Sequence, residues 1–167
     1  MTKDFVDALA ARYVQAGDEQ KASLLFGIEA NPSVELIDFL LSVAGNRSEY
    51  DLARIEAIKA AALAARLLDI FQAQRVVGAL LKLVDEESDD EILSYVLQAL
   101  AWYPEASGVA SRIAPLLGEE NDTSIRDAAL AVLLAQKAQP EAHRILESYL
   151  DDPEFGAYIG AELQGNA

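Results

Sequence analysis

The chain has 167 residues, 52% of them hydrophobic, and carries a formal charge of −15 at pH 7 from 28 acidic and 13 basic side chains. That length suits one domain able to bury about two thirds of its unfolded surface, and the charge would repel DNA or RNA over most of that domain's exterior. Cysteine is absent, so disulfides, thiolate metal sites and thiol nucleophiles are excluded, and a reducing compartment is the expectation.

Alanine and leucine dominate the apolar residues while glycine numbers 9 and proline 5, which favours helix over strand and gives an all-α reading with about ten helices. Near the N-terminus Asp4 and Asp7 stand where a secretory signal would have an apolar core. No apolar run approaches the roughly 18 residues that span a membrane. A cytoplasmic protein, with no membrane contact, is expected.

The first helix carries Phe5, Leu9 and Tyr13 at i, i+4 and i+8 and ends near Gly17. Asp18 can cap a second helix through Leu24, Leu25 and Ile28, which must finish before Asn31-Pro32. Ser33 caps a third, with Leu36, Ile37, Leu40 and Leu41 on one face and Gly45-Asn46 as its stop. Residues 51–69 read as one long helix, with Ile55, Ile58, Ala62 and Ala65 inward and Arg54, Glu56, Lys59 and Arg66 on the charged side. A helix over about 71–84 follows, then an acidic run, in which Ser88 and Glu91 have the spacing of a capping box for a helix carrying Ile92, Tyr95, Val96, Ala99 and Leu100 inward. Trp102-Tyr103-Pro104 ends that helix. Further helices are expected over about 105–117, over 125–137 after a start at Asp122 or Thr123, and from Pro140 through Leu150. Asp151-Asp152-Pro153 then turns the chain into a last helix with Phe155, Ile159 and Leu163, and the tail after Gln164 is expected to fray.

Alternate helices align. Ile55, Ile92, Ile125 and Phe155 form one column at intervals of 37, 33 and 30 residues, and Leu63, Leu100, Leu133 and Leu163 form another eight residues later. Such a period marks stacked helical hairpins, each too small to bury its own apolar face. Within 113–133 an apolar run reaches Pro115-Leu116-Leu117, stops at Gly118, passes an acidic turn and restarts with Ile125-Arg126 and an alanine-rich helix.

That stretch resembles a HEAT repeat, and the resemblance covers roughly 51–163, with the Asp-Pro turn kept at Asp152-Pro153. It implies a right-handed α-solenoid of stacked antiparallel hairpins in a single domain, 1–167, with 1–47 as divergent N-terminal helices and 48–163 as the HEAT-like hairpins. The Arg126 position is Glu56, Leu93 and Gly156 in the other units, so the family's polar ladder is expected to be incomplete. The alternative is a bundle of about ten helices whose repeat is coincidental.

No catalytic, metal or cofactor site is expected. The one histidine, His143, sits on a polar helical face beside Glu141, Arg144 and Glu147. The acidic run 85–91 lacks the central glycine and alternating order of a calcium loop, and no Gly-x-Gly-x-x-Gly, Walker-type or Gly-x-Ser-x-Gly motif occurs.

The placement of the acids is more informative. In a stack of hairpins the turns leading into second helices share one edge, so Asp85, Glu86, Glu87, Asp89, Asp90 and Glu91 should align with Glu119, Glu120 and Asp122 and with Asp151, Asp152 and Glu154. Such a ridge suits a basic partner, although acids at helix starts are also favoured by capping and the helix dipole. Tyr103 is a further candidate contact, either at the surface or in the junction between hairpins, and Trp102 is expected to fill the core. The resulting expectation is a protein-binding scaffold or inhibitor, for instance an immunity-type protein neutralising a basic toxin or nuclease. The rivals are an assembly adaptor with two partners and a cofactor-handling protein similar to the phycobilin lyases.

Overall fold

The computed structural model of the chain describes residues 3–29 and 33–165; the expected stop at Asn31-Pro32 and all of the expected frayed tail except Gly165 lie outside them. The described residues form ten α-helices and no strand: α1 (Lys3–Gln15), α2 (Asp18–Glu29), α3 (Ile37–Ala44), α4 (Asp51–Leu63), α5 (Ile70–Glu86), α6 (Asp90–Leu100), α7 (Val109–Ile113), α8 (Thr123–Ala135), α9 (Pro140–Ser148) and α10 (Gly156–Gln164). Short 3-10 segments precede α3 and follow α4 and α7.

The starts of the helices are set by side chains that satisfy otherwise unpaired N–H groups. Asp122 Oδ1 accepts from the Ser124 N–H at 2.8 Å and opens α8. Pro140 opens α9, where its missing N–H costs nothing. Four starts differ from expectation. Ser33 makes no capping bond and donates its hydroxyl to Glu35 instead. The long helix over 51–69 breaks into α4 and a 3-10 turn (Ala64–Leu67), because Asp69 begins α5 with a capping box, accepting from the Gln72 N–H at 2.8 Å while Gln72 accepts from the Asp69 N–H at 3.0 Å. The cap of α6 is Asp89, which accepts from the Ile92 N–H at 3.0 Å, and not Ser88. The helix expected over 105–117 shrinks to α7 and a 3-10 turn, since the chain beyond Pro104 needs Gly108 in the left-handed region (φ 74°) before it can restart.

Packing follows the alternation of helices. Helix α6 lies against α4 on one side and α8 on the other, and each has its preceding helix folded back on it: α3 on α4, α5 on α6, and α7 with its 3-10 turn on α8. The preceding helices touch in turn, α3 with α5 and α7 with α9, and α2 covers the remaining side of α4. One apolar core runs from Leu9 to Ile159. Ile55, Ile92, Ile125 and Phe155 are all buried in it, as are Leu100 and Leu133, whereas Leu63 and Leu163 are half-buried at its margin. Each fully buried leucine or isoleucine contributes about 1.5–3 kcal/mol of transfer free energy.

Because α4 is hemmed in by α2, α3 and α6, most of its residues are buried. Ala53, Ala57, Ala60 and Ala61 are fully buried, small enough to let three neighbours approach. Arg54 and Glu56, expected on an exposed face, are buried as well. Glu56 pairs with Lys59 at 3.0 Å. Phe5, expected inward with Leu9 and Tyr13, is exposed.

Candidate interaction surfaces

The buried Arg54 explains much of how the helices are joined. Its Nε donates to the Ala44 carbonyl at the end of α3 (3.1 Å), and its guanidinium pairs with Glu87 in the turn between α5 and α6. Arg126, in the first turn of α8, repeats the arrangement: Nε donates to the Leu117 carbonyl (3.1 Å), and the head pairs with Glu154 at 2.6 Å in the turn before α10. Each arginine thus satisfies a carbonyl at the end of its own hairpin's first helix and reaches the next hairpin's turn. Arg54 stands two residues before Glu56, the position aligned with Arg126. Arg75 to Asp38 and Arg112 to Asp85 add ties between successive first helices.

These ties give many of the expected partner-binding acids an internal role. Glu87 is a correction: its side chain is only 5% exposed, held by Arg54 and by the N–H groups of Ser88 and Asp89, so it cannot meet a partner. Burial pushes its carboxyl up, but those donors outweigh burial and leave its pKa below the usual range. Asp85 pairs with Arg112, Glu86 lies 3.8 Å from Lys82, and Glu154 pairs with Arg126. Asp89 and Asp122 are caps, and Asp152 holds the turn before α10, accepting from the N–H groups of Glu154 (2.9 Å) and Phe155 (2.8 Å). The Ser124 donors also hold the Asp122 carboxyl below its ordinary range. Asp90, Glu91, Glu119, Glu120 and Asp151 are exposed, and among the described residues none of them enters an ion pair or side-chain hydrogen bond. They stand beside the turns that the two arginine rungs tie together, at the N-terminal ends of α6, α8 and α10.

The aromatic pair is the second correction. Tyr103, a candidate contact, is 5% exposed and donates its hydroxyl to the Ala61 carbonyl at 2.9 Å, and burial raises its pKa. Trp102, expected in the core, is 42% exposed with the Arg66 guanidinium 5.2 Å from its ring centre. One residue of helical rotation at the end of α6 decides which ring turns inward, and the Ala61 carbonyl selects the one able to donate.

Trp102 belongs to an edge that sequence reasoning missed. The connectors after α4, α6 and α8 are laced together by Tyr103 to Ala61, by Gln136 Nε2 to the carbonyls of Tyr103 (3.2 Å) and Ala106 (3.1 Å), and by Gln139 to Glu105 (3.3 Å). The connectors after α6 and α8 lie at the C-terminal ends of helices whose N-termini carry the acids, about 20 Å away along the 13-residue α8. Leu67, Ile70, Phe71 and Trp102 are exposed along this edge. Large apolar residues crowding around a cap, as Leu67, Leu68, Ile70 and Phe71 do around Asp69, are the signal that would have found them, since a connector cannot bury all four.

His143 is exposed, with Nε2 3.5 Å from Glu147. Among the described residues no cluster of metal-ligating side chains occurs, and no helix is long and apolar enough to cross a membrane. Comparison with protein-family models, curated proteins and solved structures gives no match for this chain.

Proposed function

We propose that the chain is a HEAT-like, right-handed α-solenoid that acts in the cytoplasm by binding a protein with a basic surface. The observation that carries this reading is the set of carboxylates left over once the fold has been served. Among the described residues, Asp90, Glu91, Glu119, Glu120 and Asp151 are exposed carboxylates without a capping bond or an ion pair, and they stand beside successive turns. Like charges held together cost some stability, and a cationic partner recovers it. The repetition of the Arg54 and Arg126 rungs supports the solenoid, and the charge of −15 supports a cationic partner whose encounter is steered by the field. A specific case is an immunity-type inhibitor covering the basic residues with which a toxin or nuclease grips its substrate. The apolar connector edge favours a second reading, an assembly adaptor with one partner on each edge.

Affinity capture from lysate, eluted by a salt step, followed by kinetics on the purified partner, tests the proposal. A basic partner should elute, and its association rate should fall with salt and with Glu91→Lys, Glu120→Lys and Asp151→Lys, substitutions that change folding by about 0.5 kcal/mol or less. A partner that is neutral or acidic, or a rate indifferent to salt and to these reversals, would overturn it. Two partners captured at once would select the adaptor.

A further inference from the structure

The connector edge carries more apolar exposure than a turn region needs. Phe71 is 79% exposed and Ile70 68%, and Leu67 and Trp102 stand beside them. Single exposed apolar residues are ordinary, but a contiguous group marks a contact surface. These four also line or flank a continuous trough. A hollow of about 400 Å³ between α3 and α5, walled by Phe71 and Leu68, leads across Leu68 into one of about 330 Å³ walled by Ile70, Ala73, Pro104 and Trp102. Trp102 in turn separates that hollow from a third, of about 250 Å³, between α4 and α6.

We propose that this trough docks an amphipathic segment of a partner protein, one that presents large apolar side chains flanked by lysine or arginine. Charge selects that occupant. The charged groups lining the middle hollow are Asp69, which caps α5, and Glu105, which accepts from Gln139 at 3.3 Å; among the described residues neither carboxylate is ion-paired. The cation on its rim, Arg66, is stacked on Trp102, Arg75 in the first hollow is held by Asp38, and Lys59 in the third pairs with Glu56. An apolar floor whose walls carry carboxylates without a cationic partner fits a segment whose apolar face is bordered by positive charge. A second copy of this chain fits poorly, because it would bring the same carboxylates and another −15 against the first. The proposal does not depend on the acidic edge, which lies at the other end of the helices.

Trp102 is the chain's one tryptophan, so its emission reports directly on the trough. The full chain is titrated with a synthetic tryptophan-free amphipathic helix of leucine and lysine, and with its leucine and glutamate counterpart. The lysine peptide should shift Trp102 emission to shorter wavelength and saturate, and the glutamate peptide should not. Ile70→Ser with Phe71→Ser, both highly exposed and so without effect on folding, should weaken binding about tenfold or more. Glu105→Lys should weaken it several-fold, whereas the acidic-edge reversals should leave the Trp102 response unchanged. Equal binding of both peptides, no emission shift, or a shift insensitive to Ile70 and Phe71 would overturn the proposal. So would self-association abolished by Phe71→Ser, which assigns the trough to a second copy, or a shift with phosphatidylcholine vesicles in place of peptide, which assigns it to a lipid surface.

Discussion

Replacing Arg54 with methionine removes one half of a buried ion pair and should be among the most damaging changes outside the apolar core. Arg54 is 3% exposed and the Glu87 side chain 5%, so the orphaned carboxylate would stay in a poorly solvated turn. Breaking such a pair from one side costs about 3–5 kcal/mol. Glu87 keeps the N–H groups of Ser88 and Asp89, which places the loss near the lower end, and the lost bond to the Ala44 carbonyl adds about 1 kcal/mol. The sum, about 4 kcal/mol, is a large share of the 5–15 kcal/mol typical of a domain. Arg126→Met is the control. It makes the same kinds of bond, but Glu154 is 43% exposed, so water can take over the carboxylate and the pair itself is worth about 1 kcal/mol or less. Urea unfolding followed by helical circular dichroism and by Trp102 emission measures both. A cost for Arg54→Met below about 1 kcal/mol, or no larger than that of Arg126→Met, would refute the idea that this pair fastens successive hairpins.

Other perturbations follow from the same contacts. Gly156→Ala should destabilise by about 1–3 kcal/mol in the same unfolding assay, because a Cβ there would run into the Leu150 carbonyl, which is backbone and cannot swing away. Tyr103→Phe leaves the Ala61 carbonyl without its buried donor and should cost about 1–3 kcal/mol, whereas Trp102→Phe should cost under about 1. Glu87 and Glu49 both have pKa values below the ordinary glutamate range, Glu87 through Arg54 and Glu49 through Lys21 and the Tyr50 N–H, in each case against burial. A carboxylate with a lowered folded pKa contributes stability that is present above its unfolded value, about 4.3, and lost as pH falls through the folded value. Urea midpoints should therefore drop below about pH 4.3, and Glu87→Gln should flatten part of that drop; an unchanged slope in the variant would exclude Glu87 as a source.

The sequence was readable where a local signal had no competitor. Asp122 before Thr123, and Pro140 at a first turn, set their helices through bonds to their own neighbours, and the column Ile55, Ile92, Ile125 and Phe155 is buried because every hairpin needs that contact. Arg54 was hidden because burial of a charge depends on what packs over it, and nothing within α4 announces that α2, α3 and α6 enclose it. The same limit reversed Trp102 and left Tyr103 open: hydrophobicity favours tryptophan inside, but the Ala61 carbonyl, distant in sequence, rewards a hydroxyl. The acidic run misled in another way. Its composition is uniform, yet Glu87 serves Arg54, Asp89 caps a helix, and only Asp90 and Glu91 remain free there. What separates them is partners contributed by other hairpins.

The arrangement of the acidic turns is best tested by spin labels at Glu91→Cys and Asp151→Cys, introduced into a chain that has no other cysteine. Helices α6 and α8 pack as neighbours, a step of about 8–10 Å, and Arg126 ties α8 to Glu154 in the turn before α10, which together place the labels about 20 Å apart, within reach of dipolar electron resonance. A narrow distribution near that distance is the predicted result. A distance of about 30 Å or more, the width of a domain this size, would put the turns on different sides of the molecule and contradict a shared docking edge.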